Sequence, residues 1–88
     1  MSYSRGGNRT YFFDYPSSYS AERARRKLAD NNFFVQKNGT RLVLSEANSD
    51  DAGYMNELSG EVPISVSILQ DGKLVDVTTK LMKKYYEL

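Results

Sequence analysis

Between Phe33 and Leu44 the chain reads FFVQKNGTRLVL, two apolar runs joined by Asn38-Gly39. Asn-Gly between alternating hydrophobic residues is the strongest short-range hairpin signal, because a type I′ turn needs positive φ at both central residues. A two-residue loop there pairs Lys37 with Thr40, Gln36 with Arg41, Val35 with Leu42, Phe34 with Val43 and Phe33 with Leu44. Phe33, Val35, Leu42 and Leu44 then share one face, the expected core side. Asp71-Gly72 repeats the device between strands predicted over 62–70 and 73–79. Its register pairs Ile68 with Val75 and Val66 with Val77. Ile64, Val66, Ile68, Val75 and Val77 fall on one face, and Ser65, Ser67, Asp76 and Thr78 on the other.

Helical segments flank both hairpins. Thr10 to Tyr15, TYFFDY, is aromatic and bounded by Pro16, which suits a first or edge strand. Ser17, Ser18 and Ser20 offer N-caps for a helix in which Ala21, Ala24 and Leu28 share a face, with Arg25 at its border. Arg23, Arg26 and Lys27 point away from that face, Glu22–Arg26 is a supportive i,i+4 pair, and Asn31-Asn32 is the stop. A second short helix is predicted over 49–58, capped by Ser49, with Asp50 and Asp51 at its positive end and Gly60 beyond its last turn. Ala52, Met55 and Leu58 would form its apolar stripe, weakened by Gly53. Leu81, Tyr85 and Leu88 have the spacing of a closing helix.

The expected class is α+β. An N-terminal strand and the Asn-Gly and Asp-Gly hairpins form an antiparallel sheet, with two or three short helices on one face. A right-handed crossover from the first strand through the first helix makes this a variant of the ferredoxin-like plait with an extra strand. If the 49–58 helix does not form, an α-β-β-β-β-α sandwich is the alternative. Residues 1–9, polar and carrying Gly6-Gly7, are expected to be a flexible tail, and 10–88 a single domain.

Eighty-eight residues bury roughly 60–68% of their unfolded surface, enough for one core but not for a deep substrate cavity. With no His, Ser-His-Asp and Cys-His catalysis, imidazole metal sites and an imidazole pH switch are excluded. With no Cys, disulfides, thiolate nucleophiles and zinc-thiolate sites are excluded as well, which fits a reducing cytoplasm. No run approaches the ~18 apolar residues of a membrane span. The opening MSYSRGGNRT lacks the apolar stretch of a secretory signal, so the triplets starting at Asn8 and Asn38 read as chance glycosylation matches. Net charge is only +1, but residues 1–44 carry eight basic and three acidic side chains (+5) and residues 45–88 carry four and eight (−4). Such asymmetry points to a charged partner or to self-association.

The densest functional signal is the N-terminal third, where Arg and aromatic residues interleave. Arg5, Arg9, Tyr11, Tyr19, Arg23, Arg26 and Lys27 are the candidate partner-binding residues. Arg grips phosphate bidentately and aromatic rings stack on bases, and the same two residue types dominate protein-interface hot spots. The bland alternative is a solvated helix face with ordinary core aromatics. A single Arg5-Gly6-Gly7 is weak, and the strand Arg41–Leu44 carries aliphatics where an RNA-recognition sheet carries aromatics. Glu46, Asn48, Asp50 and Glu57 imitate the oxygen ligands of a calcium loop, but Asp51 stands where the sharp turn needs Gly. Capping a helix accounts for the same acids. Asp50 and Asp51 are neighbours and do not face each other on a helix, and Gly6-Gly7 lacks the spacing of a phosphate loop. Lys80, Lys83 and Lys84 with Tyr85 and Tyr86 fit an amphipathic closing helix. The expectation is a non-enzymatic, cofactor-free and metal-free cytoplasmic protein that regulates or inhibits a protein or nucleoprotein partner. RNA or single-stranded DNA binding is the alternative, and a homodimer through a sheet edge is a further expectation.

Overall fold

A computed structural model describes residues 9–81 of the chain. The elements run β1 (Arg9–Asp14), α1 (Ser18–Asp30), β2 (Gln36–Asn38), β3 (Arg41–Ala47), α2 (Ser49–Ser59), β4 (Ser65–Gln70) and β5 (Lys73–Asp76). A third helix begins at residue 78 and is described to residue 81. The expected tail, with Tyr85 and Leu88, lies outside the described residues. The fold is α+β, with one five-stranded sheet in the order β2-β3-β1-β4-β5 and every neighbouring pair antiparallel.

The aromatic strand is therefore not an edge. β1 sits at the centre, bonded to β3 on one side and β4 on the other, and the edges are β2 and β5. Its alternation accounts for this: Tyr11 and Phe13 point into the core, while Phe12 and Asp14 occupy the opposite face and are half-buried. The inward residues of β1, β3 and β4 meet Ala21, Ala24 and Leu28 of α1 and Ala52 and Met55 of α2 in one cluster, which Leu81 joins. Both helices thus cover the same side of the sheet.

Ser17 starts α1, its Oγ accepting from the Ser20 N–H at 3.0 Å. Asn32, at φ +61, ends it: the Phe33 N–H reaches the Leu28 carbonyl and the Asn32 N–H the Ala29 carbonyl, a Schellman closure. The cap of α2 is Asn48, one residue before the predicted Ser49. Its side chain accepts from the Asp51 N–H at 2.9 Å, while the Asp51 carboxylate accepts from the Asn48 N–H at 3.3 Å. Gly60, at φ +70, closes that helix.

The second hairpin keeps the expected register and the first does not. Asp71 and Gly72 both have positive φ, and the predicted register holds, with Ile68 opposite Val75. In the first hairpin only Gly39 has positive φ; the turn is Gly39-Thr40, and Asn38 pairs with Arg41 and Lys37 with Leu42. Positive φ confined to the first central position is the type II′ requirement. The slip is two residues, so the faces keep their identity: Leu42 and Leu44 are buried, and Phe33 and Val35 pack against them. β4 begins at Ser65, not at Val62, and Ile64 faces solvent. β5 ends at Asp76 rather than at Thr79. There the Asp76 carboxylate accepts from the Thr78 N–H at 2.8 Å, and the Thr78 hydroxyl accepts from the Val66 N–H at 2.7 Å, turning the chain into the third helix. Hydrogen bonding from the Thr78 side chain, and then from its backbone N–H, holds the Asp76 carboxyl below its ordinary pKa. No helix among the described residues is long and apolar enough to cross a membrane.

Candidate partner-binding surface

Four of the seven predicted site residues share one stripe. Tyr19, Arg23, Arg26 and Lys27 follow one another at helical spacing along the outer side of α1. Tyr19 is 72% exposed, and the Arg23 guanidinium carbon lies 5.7 Å from the centre of its ring.

The arginines on this helix are already engaged. Glu22 takes Arg25 through two hydrogen bonds, at 2.9 and 2.7 Å, and Arg26 through one at 3.0 Å. The Arg25 bonds first, and then those of Arg26, bring the Glu22 carboxyl down to about 2, and Glu22 in turn raises the Arg25 guanidinium. Arg23 Nε stands 3.3 Å from Glu61 Oε2. Of the stripe's cations, Lys27 alone has no ion pair among the described residues; its stem runs beside Gly60.

Glu61 extends the surface. Its second carboxylate oxygen accepts from the Ser20 hydroxyl at 2.8 Å, so the segment after α2 is fastened to the first turns of α1. Ser59 shapes the corner, its hydroxyl donating to the Asn56 carbonyl at 2.9 Å and accepting from the Glu61 N–H at 3.3 Å. Pro63 is buried, while Val62 and Ile64 stand 72% and 66% exposed, and the Ile64 N–H donates to the Asp14 carbonyl at the end of β1. The result is one end of the molecule presenting Tyr19, Arg23, Glu61, Val62 and Ile64. The sequence reading missed the last three, having given 62–64 to a strand with Ile64 on the same face as Val66 and Ile68. Pro63 was the available signal, since Pro inside an apolar run demotes it as a strand.

The other predicted residues lie elsewhere. Arg5 is outside the described residues, as are Tyr3, Lys83, Lys84 and Tyr86. Arg9 opens β1 and is half-buried, and Tyr11 is packed on the core side with its ring 6.5 Å from Phe13. Both line a groove of about 550 Å³ with Ser49, Ile68, Gln70, Val77, Lys80 and Leu81. Tyr11 therefore offers a partner no free ring face on the outer surface. On the uncovered face of the sheet, Arg41 donates to both Asp14 oxygens, at 2.9 and 3.3 Å, and lies 5.1 Å above the Phe12 ring. The Asp14 carboxylate raises the Arg41 guanidinium. This is a satisfied ion pair over an aromatic ring, and residue spacing does not reveal it because the pairing spans β1 and β3.

No cluster of acidic side chains fit to hold a metal ion occurs among the described residues. Asp51 of the calcium-like run belongs to the α2 capping box. No protein-family model matches the chain, and no curated protein or solved structure does either.

Proposed function

We propose that the chain is a small non-enzymatic binding protein of the cytoplasm that regulates or inhibits a protein or nucleoprotein partner, engaging it through Tyr19, Arg23, Glu61, Val62 and Ile64. The order β2-β3-β1-β4 with β5 added beyond it supports the ferredoxin-like plait as its scaffold. The observation that carries the functional reading is Glu61. By bonding Ser20 and pairing Arg23 it joins an exposed Tyr–Arg stack to two exposed aliphatics. Aromatic, Arg and apolar side chains at the centre with a charged rim are the anatomy of a protein-interface hot spot.

The same geometry weighs against the nucleic-acid alternative. A phosphate approaching α1 would have to displace Glu22 from Arg25 and Arg26 and Glu61 from Arg23. Aliphatic Val62 and Ile64 offer nothing to a sugar-phosphate backbone. The experiment is a paired one. Tagged protein captures its partner from source-cell lysate, and the variant Tyr19→Ala/Ile64→Ser loses it, while Phe34→Ser, altering an exposed aromatic next to the first hairpin, retains it. Labelled single-stranded oligonucleotides are titrated at two salt concentrations. Micromolar binding with a log–log salt slope of roughly −0.7 to −0.9 per phosphate contact, or capture indifferent to Tyr19 and Ile64, overturns the proposal.

Self-association is a second reading, favoured by β5. All four of its residues are exposed, Leu74 and Val75 among them, and an uncovered strand edge invites pairing. Sedimentation equilibrium should show a mass above 10.0 kDa at high protein concentration, and Val75→Lys should restore the monomer. A mass that stays at 10.0 kDa throughout removes this reading.

A further inference from the structure

We infer that the groove between the start of β1, the end of β4 and the third helix binds a small amphipathic monoanion. Its floor is apolar, built from Tyr11, Ile68, Val77 and Leu81, three of them buried core residues. Arg9 and Lys80 stand at its rim, and none of the described residues that line it is acidic. Arg23, Arg25, Arg26 and Arg41 each have a carboxylate partner, whereas neither Arg9 nor Lys80 has one among the described residues. Two cations with no carboxylate partner among the described residues set a local excess of positive charge beside an apolar floor, a combination complementary to an anion with an apolar body. A ligand with one negative head and a short apolar body fits it, the head at Arg9 and Lys80 and the body on Ile68, Val77 and Leu81. The volume of about 550 Å³ falls within the range of small-ligand pockets. The arginine fork at Arg9 suits a carboxylate in particular, because its paired N–H groups match the two oxygens. The groove lies at the Arg9 end of β1, away from the Asp14 end where Ile64 bonds, and the inference does not depend on the proposed function.

The test uses the full chain with octanoate as probe, followed by the methyl resonances of Ile68, Val77 and Leu81. Saturable shifts of these methyls are expected, with a dissociation constant of about millimolar or tighter. Acetate, which lacks the apolar body, and octylammonium, which reverses the charge, should give no saturable shift. Arg9→Gln/Lys80→Gln should weaken octanoate about tenfold, the loss expected for two partly exposed charge-assisted contacts. Gln70→Trp, which fills the groove from an exposed position, should abolish binding, and unchanged thermal melting of both variants shows that they fold. Octanoate shifts confined to other residues, no saturation, or equal affinity for octylammonium each overturn the inference. So does octanoate binding that is unchanged in Arg9→Gln/Lys80→Gln.

Discussion

Replacing Glu61 by Ala tests the joint between α1 and the segment that follows α2. The Ser20 hydroxyl is buried and donates to Glu61 Oε1 at 2.8 Å; the acceptor is a carboxylate whose side chain is only 19% exposed. Bonds to charged groups contribute about 1.5–3 kcal/mol, and a buried donor left unmade costs about 1–3 kcal/mol. The Arg23 arm is 58% exposed and adds at most about 0.5 kcal/mol. Partial solvation of the carboxylate reduces the total, so Glu61→Ala should cost about 1–2 kcal/mol, each kcal/mol lowering Tm by about 4–8 °C in a domain this small. Ser20→Ala loses the same bond but regains about 0.5 kcal/mol of helix propensity, leaving a smaller cost. The double variant removes both partners at once and leaves no orphaned hydroxyl. Its destabilisation should therefore fall short of the sum of the singles by about 1 kcal/mol. Urea denaturation followed by circular dichroism gives all four stabilities of the cycle. A coupling below about 0.3 kcal/mol would show that the bond does not fasten the two segments and would refute the reasoning.

Glu22 predicts an acid limb in the stability curve. Its carboxyl is drawn from 4.5 to about 2 by Arg25 and then Arg26, so its contribution is present above the unfolded value and is lost as pH falls from about 4.5 towards 2. Stability measured across that window should fall less steeply in Glu22→Gln, and an identical slope would dismiss the effect. Gly60→Ala should destabilise by about 1 kcal/mol through its positive φ alone, because the added Cβ would meet Lys27 at an ordinary 3.6 Å; Gly60→Asn should recover part of the loss in thermal melts. Asn48→Ala should cost about 1 kcal/mol by opening the capping box, with faster amide exchange in the first turn of α2; unchanged exchange there would contradict the cap.

Local chemistry explains which parts of the fold could be read from residues alone. The turn and register of the Asp71-Gly72 hairpin were legible because both central positions take positive φ, whereas the outer ends of its strands were not. Asn38-Gly39 carried the same signal, yet Thr40 entered the turn in place of Asn38. The choice between I′ and II′ depends on how Lys37 and Gln36 fit against β3, which no two-residue motif records. The buried face of α1 followed from spacing, as did the Glu22–Arg26 pair, whose partners are neighbours on one helix. The central place of β1 did not, since its bonds to β3 and β4 are non-local. Four of the candidate residues do lie together on α1, but the features that give them meaning came from elsewhere in the chain. Glu61 closes a bond to Ser20 across most of the domain, and Val62 and Ile64 are exposed because Pro63 delays the strand.

The opposite charges of the two halves of the chain acquire a specific meaning in the fold. Part of the asymmetry is cancelled within the molecule: Arg23 from the basic half meets Glu61 from the acidic half, while Glu22 and Asp14, both in the basic half, hold Arg25, Arg26 and Arg41. What is left is not one basic face but two unlike places. At the Asp14 end of β1, where Ile64 bonds, the surface is aromatic and aliphatic with its arginine engaged. At the Arg9 end, cations without carboxylate partners among the described residues stand beside an apolar groove. Five residue rises separate the two ends of the strand, about 16–17 Å at the usual rise, well beyond the roughly 7–10 Å within which substitutions couple. Changes at Tyr19 and Ile64 should therefore leave octanoate binding alone, and changes at Arg9 and Lys80 should leave partner capture alone. The central strand makes the two readings independent, so either can fail without the other.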